Sequence, residues 1–363
     1  MICALILALA STQAPSEAQT RFTFTELAMG CEVRIELIAA SEVSAVELAR
    51  GAFERVRAID ETLSDYSTSS EVTRLSREAT VETRVSLDLA AVLRDSLRVS
   101  RATNGAFDVS TGALSHMWRS ARATRTLPTQ AELARALDHC GYASVQFDEG
   151  SRTLQWLRPG IRLDFGGIGK GYAAQAAVEY LRSKGAPCSL CAIAGDIACG
   201  EAPPGRSGWS IELSHDLEGA PSRRLTLRNQ SVSTSGDAWQ FIEVNGVRSS
   251  HIYDPRTGHA LTQRIGATVV SRHGAIADAI ATALCVDGTA LLARHAEVAQ
   301  AVGEFEGQIV ELLVREGAAA TVRVSATPNW SSFLESPRAP AAVDRTAATA
   351  ASGSSGSPAR RPM

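Results

Sequence analysis

Several things are missing from this 363-residue chain, and each absence narrows what it does. No basic run stands out and the formal net charge is −3 with both signs dispersed, which argues against nucleic-acid binding or a polybasic membrane role. Seven cysteines in a chain this long make no disulfide scaffold. Cys188 and Cys191 form a CSLC pair, but no second CxxC and no nearby histidine accompany it, so core cysteines are the better reading than a redox or metal motif. There is no internal repeat, and neither GxxxxGK[ST] nor GxGxxG occurs, so no Walker or Rossmann loop is claimed.

The N-terminal MICALILALASTQAPSEAQ is a short apolar run followed by small and polar residues, too short to span a bilayer and suited to a secretory signal over residues 1–19. This composition implies export to the periplasm. The missing basic n-region keeps a cytoplasmic chain with an apolar N-terminus as the alternative. Cys3 lies too early to be a lipid anchor site. From Glu335 the chain is Ala-, Pro-, Ser-, Gly- and Arg-rich without periodicity, which predicts a disordered tail over 335–363 and a folded unit over 20–334.

Within that unit CEVRIEL alternates as a strand, and Ser41 is placed to cap a helix carrying Val46, Ala49, Phe53, Val56 and Leu63. Tyr66 falls where that element ends. A second helix runs from about Leu87 to the Asn104-Gly105 stop, a shorter one is marked by Leu133, Ala136 and Leu137, and VQFDEGSRTLQWL reads as a hairpin turning at Glu149-Gly150. SLCAIAG, WSIEL, RLTL and SVSTS read as strands. FIEVNGVRSSHIY reads as a hairpin around Asn245-Gly246, and IVELLV and ATVRVS as strands separated by Glu316-Gly317.

Two stretches carry chemistry. IRLDFGGIGKGYAAQAAVEYLRSKG is a strand, a glycine-rich turn and a helix, an order that can present backbone amides to an anion, with Lys170 adding charge. A tight structural turn would look the same. HIYDPRTGHALTQRIGATVVSRHGAIADAIATAL begins at His251 and ends in an alanine-rich helix with Asp278 and Thr282 four positions apart on one face. Two oxygen donors in apolar surroundings suit a hard cation such as magnesium, which fills its remaining positions with water and substrate phosphates. A buried Asp–Thr hydrogen bond is the plainer reading of the pair alone.

Taken in order, AMGCEVRIEL, LSDYSTSSEVTRLS, NGAFDVSTGAL, LDFGGIGKGYAAQAAVEYLRSKG, STSGDAWQFIEVNGVRSSHIYDPRTG and IADAIATAL resemble the FAD:protein FMN transferases, the ApbE-like flavin transferases, over roughly residues 22 to 330. The resemblance implies an α+β fold, a single mixed unit with its site between sheet and helices. It also implies a reaction in which FAD is bound, its pyrophosphate is cut, AMP leaves, and FMN passes to a threonine or serine hydroxyl of an acceptor flavoprotein, with a membrane-complex acceptor among the candidates. Magnesium would then be held by Asp278, Thr282 and the carbonyl of Gly167, and FAD by Met29, Tyr66, Ala106, Phe107, Asp108, Asp164, Lys170 and Ile252. His251 is the candidate general base, because an imidazole near its ordinary pKa suits proton removal at neutral pH; a histidine that only braces the DPRTG turn is the competing reading. Gly169 stands where the family commonly has alanine, and Gln175 where aspartate is frequent. Two rival functions stay open at this stage: a hydrolase splitting FAD into FMN and AMP, and a non-catalytic exported flavin-binding protein.

Overall fold

The computed structural model describes residues 19–78, 82–213, 220–236, 241–244, 246–303, 309–316 and 321–335. The N-terminal run, Asn245, Gly317 and the tail beyond Glu335 lie outside the described residues, and with them the expectations placed there. The architecture is α+β, as expected. Its centre is an eight-stranded antiparallel sheet made of Thr20–Ala28, Cys31–Ala39, Ser189–Ile193, Asp196–Cys199, Gln230–Gly236, Ile265–Ser271, Ile309–Glu316 and Thr321–Ala326, neighbours in space following neighbours in sequence. Every pairing along it is antiparallel.

The helices are α1 (Glu42–Leu63), α2 (Glu71–Glu78), α3 (Leu87–Ala102), α4 (Gly112–Thr124), α5 (Gln130–Leu137), α6 (Gly169–Ser183), α7 (Gly274–Asp287), α8 (Thr289–Ala293) and α9 (His295–Ala301). Ser41 caps α1 as the sequence predicts, its hydroxyl accepting the Ser44 N–H at 3.3 Å. Ala45, Ala49, Ala52, Phe53, Val56, Ile59 and Leu63 form its buried stripe, while Val46 is 48% exposed and lies off that face. Ser86 caps α3, and the left-handed pair Asn104 (φ 49°) and Gly105 (φ 78°) follows it, the expected stop.

The strand Ile265–Ser271 and helix α7 are buried nearly throughout, with the other helices and the sheet wrapped around them in one continuous apolar core. A smaller cluster on the other face of the sheet holds Leu190, Trp209, Leu225 and Val270. Cys191 is fully buried within strand Ser189–Ile193, as a core cysteine should be, whereas Cys188 is half-buried and hydrogen-bonds the Ala202 carbonyl at 3.3 Å; both are free thiols.

Candidate active site

The site is built where α6 crosses α7. The crossing is possible because both helices carry glycine there: a Cβ on Gly171 would lie 2.2 Å from the Gly274 carbonyl oxygen, and one on Gly274 would lie 2.2 Å from that of Gly171. Gln175, one turn beyond Gly171 in α6, accepts the Gly274 N–H at 2.7 Å and so caps the start of α7. The residue standing where an aspartate is frequent therefore acts as a neutral cap between the two helices.

Asp278 projects from α7 into this crossing, only 2% exposed, and its Oδ2 accepts the Gly171 N–H at 3.1 Å. Thr282, one turn on, is the one residue between Gly274 and Cys285 that is not buried. It faces the glycine turn, since a Cβ added to Gly167 would lie 3.0 Å from its Oγ1 and 3.5 Å from a Phe107 ring carbon. Ser235, from the strand Gln230–Gly236, meets Thr282 Oγ1 at 3.3 Å. Gly167, Phe107 and Thr282 are thus brought together, with Asp278 one helical turn before Thr282.

Four amides of the turn are taken up within the protein. Gly166 N–H goes to Asp164 Oδ1 at 2.7 Å, Ile168 and Gly169 N–H to the Phe165 carbonyl at 3.1 and 2.7 Å, and Gly171 N–H to Asp278. Lys170 is likewise engaged, its Nζ 2.7 Å from Asp196 Oδ2 and 3.7 Å from Asp278 Oδ2. Asp196 is 3% exposed and also accepts the Ser233 hydroxyl. Burial works to lower the Lys170 pKa, but Asp196 and Asp278 outweigh it and hold it above its ordinary value. Burial, reinforced by Asp196, raises the Asp278 carboxyl above the usual carboxylate range against the pull of Lys170.

A second group of expected residues gathers around α4. Asp164 accepts the Ser115 hydroxyl, which also meets the Tyr253 hydroxyl two residues after His251. Burial and the nearby Asp65 raise the Asp164 pKa, offset in part by Ser115, the Gly166 amide and Arg119. Tyr66 is 77% exposed, with the Arg119 guanidinium 4.3 Å from its ring centroid. Met29 sits in the tight turn between the first two strands with φ 52°, held there by Asp60 Oδ2, which accepts its N–H at 2.9 Å. A Cβ on Gly169 would touch the Met29 side chain at 3.8 Å, an ordinary contact, so alanine fits there.

Other expected contacts are arranged differently. Ala106 is fully buried, and the Asp108 carboxylate turns away to accept the Ser110 N–H and hydroxyl at 2.7 Å each and the Tyr142 N–H at 2.9 Å. Asp108 therefore clamps its loop with three accepted hydrogen bonds. Ile252 is 7% exposed, its N–H bonded to Ser250 Oγ at 3.0 Å, and His251 beside it is half-buried. Asp196, Ser233, Ser115 and Arg119 were not anticipated. The lone carboxylate within the apolar run SLCAIAGDIAC was the sequence signal for Asp196.

The antiparallel sheet backed by helices is the fold of solved flavin transferases. The Vibrio cholerae flavin transferase ApbE superposes with a TM-score of 0.73 at 25% identity, covering 87% of this chain and all of that one. The ApbE protein of Thermotoga maritima shares the fold with a TM-score of 0.76 at 24% identity, again over 87% and 100% of the two chains. An FAD:protein FMN transferase of Klebsiella pneumoniae (strain 342) is 28% identical over 347 residues, 92% of this chain and 95% of that one. The FAD:protein FMN transferase of Chlamydia muridarum is 32% identical over 232 residues, 62% and 71% of the two. This chain belongs to the ApbE family, whose sequence profile matches residues 29–302.

Proposed function

We propose that this protein transfers the FMN moiety of FAD to a threonine or serine hydroxyl of an acceptor protein, releasing AMP, with magnesium at the α6–α7 crossing. The observation that carries the reading is the convergence of Asp278, Thr282 and Gly167, because it supplies hard oxygen donors in an otherwise apolar helix contact. Among the described residues no cluster of three or more His, Cys, Asp or Glu side chains is arranged to hold a metal. One carboxylate, one hydroxyl and one carbonyl suit magnesium better than zinc or iron, since magnesium needs only one or two protein oxygens and completes its octahedron with water and phosphate oxygens. The donor set fits. When bound, magnesium would neutralise charge developing on the diphosphate.

The chain's own residues do the rest. Asp278 is oriented by the Gly171 amide, and Thr282 is aimed at the glycine turn by its helical spacing from Asp278. Lys170, bound to Asp196, holds a fixed positive charge against Asp278. Met29 in its left-handed turn and Tyr66 on its guanidinium present apolar surface for the flavin. His251 takes the proton from the acceptor hydroxyl as that oxygen attacks phosphorus, and the phosphoester forms as the bond to the AMP phosphate breaks. The N-terminal composition supports export to the periplasm, where the acceptor would be met.

Incubation with FAD, magnesium and a threonine-bearing acceptor domain tests the reading. Flavinylated acceptor with AMP supports transfer, free FMN with AMP would mean that water is the acceptor, and bound but intact FAD would make the protein a carrier.

A further inference from the structure

Tyr66 combines two properties that rarely coincide. Its ring is 77% exposed, yet one face is covered by the Arg119 guanidinium at 4.3 Å from the centroid. A large exposed aromatic side chain on a loop gains little by being fixed unless something binds the other face. Arg119 is itself fixed, because it forms a two-pronged ion pair with Asp65, one prong at 3.0 Å, with side chains only 22% and 18% exposed. Asp65 is the chain neighbour of Tyr66, so this pair fastens the backbone of the loop while the guanidinium backs its ring. Burial opposes the charge on Arg119, but Asp65 and Tyr66 outweigh it and keep the group cationic.

The same face of α4 holds two further parts of the site. Ser115 reaches Asp164 and Tyr253, and the Trp118 indole N–H donates to the Gly258 carbonyl at 2.8 Å. Residues 115, 118 and 119 are neighbours on one helix surface, so a single rigid element sets the loop of Tyr66, the approach to the glycine turn and the turn after His251 relative to one another. Sequence periodicity in α4 gives no hint of this, because the residues involved are polar or amphipathic.

We infer that Arg119 is a positioning residue for flavin binding: it locks Tyr66 as a one-faced stacking platform, leaving the opposite face for the isoalloxazine or adenine ring of FAD. This rests on the proposed use of FAD, and it adds a residue that does not itself touch substrate. A cation on one face of an aromatic ring is attracted by its quadrupole and fixes the ring in place. Losing it should weaken FAD binding by about two- to tenfold.

FAD binding by the full chain, followed by quenching of flavin fluorescence without any acceptor, tests this independently of turnover. Arg119→Met should raise the FAD dissociation constant about two- to tenfold, and Arg119→Lys, which keeps charge but loses the planar fork, should fall between. In a Tyr66→Ala background Arg119→Met should have no further effect, since the platform is already gone. Equal losses in the two backgrounds, or wild-type affinity in Arg119→Met, would overturn the inference, as would a loss of binding matched by a fall in melting temperature that Arg119→Lys does not rescue. Failure of the wild-type protein to bind FAD at all would instead remove the functional reading on which the inference stands.

Discussion

Gly171→Ala is the sharpest structural test of the helix crossing. The added Cβ would lie 2.2 Å from the Gly274 carbonyl oxygen, 2.7 Å from its carbon and 2.9 Å from Asp278 Cβ. All three are backbone or the root of a buried side chain, so no flexible group can step aside. Restoring a tolerable contact requires α6 and α7 to part by about 1 Å, and overpacking of this kind costs about 1–3 kcal/mol. The displaced atoms are those that hold Asp278 against Gly171, and a misplacement of about 1 Å at a catalytic group can cost about 10² in rate. Gly169→Ala is the matched control two positions earlier: its new Cβ would meet Leu63, Phe165 and Met29 at 3.5, 3.7 and 3.8 Å, which are ordinary contacts. Thermal unfolding and the rate of flavin transfer should therefore both fall in Gly171→Ala and stay near wild type in Gly169→Ala. A Gly171→Ala variant with wild-type melting temperature and rate would refute the crossing as the foundation of the site.

Three further outcomes are expected. Asp196→Asn leaves Lys170 paired only with Asp278, so Lys170 should compete with the metal there, and magnesium titration of activity should shift to higher concentration; an unchanged midpoint would exclude that competition. His251→Ala should lower transfer by about 10² to 10⁴ with FAD affinity retained, whereas weakened FAD binding, a lower melting temperature and a near-normal saturated rate would assign it to the turn. Asp88 joins α3 to α1 and α6 through Arg55 at 2.6 Å and the Tyr172 hydroxyl at 2.6 Å, and Arg55 first of all holds its carboxyl below the ordinary 3.8. Its ionised form thus stabilises the fold above that ordinary value, a contribution lost as pH falls through the lower folded value. Asp88→Asn should cost about 1 kcal/mol at neutral pH, and the gap to wild type should close in strong acid; a gap that persists there would refute the linkage.

The parts of this protein legible in its sequence are those fixed by local chemistry. Ser41 caps a helix because a serine hydroxyl before an apolar periodic run satisfies free amides, and Asn104-Gly105 stops one because both residues tolerate left-handed backbone. Asp278 and Thr282 were legible as a pair because helical spacing puts positions four apart on one face. The first strand, Thr20–Ala28, was not read from the sequence, although Phe22 and Phe24 alternate with polar residues; its pairing partner Cys31–Ala39 supplies the apolar face it leans on. Helix α4 was equally opaque, since its buried positions Gly112, Leu114, Ser115, Trp118 and Ala121 mix small, polar and large apolar residues. At the glycine turn Asp164 and the Phe165 carbonyl take three amides locally, while the acceptor of the Gly171 N–H is Asp278, 107 residues away, a pairing that no local pattern encodes. Asp108 shows the same limit, its carboxylate being claimed by Ser110 and by Tyr142, which lies 34 residues away.

The proposed flavin transfer takes place at the Thr282 end of the Asp278–Thr282 pair, where α7 is no longer fully buried. Fluorescence of an acceptor protein on a denaturing gel, after incubation with FAD and magnesium, measures this directly because covalently attached flavin survives denaturation. Wild type should give a fluorescent acceptor band that chelator abolishes, while Asp278→Asn and Thr282→Val, folded by thermal unfolding, should give a band weakened by about 10² or more at the same magnesium concentration. A band of wild-type intensity and unchanged magnesium dependence in both variants would contradict the account.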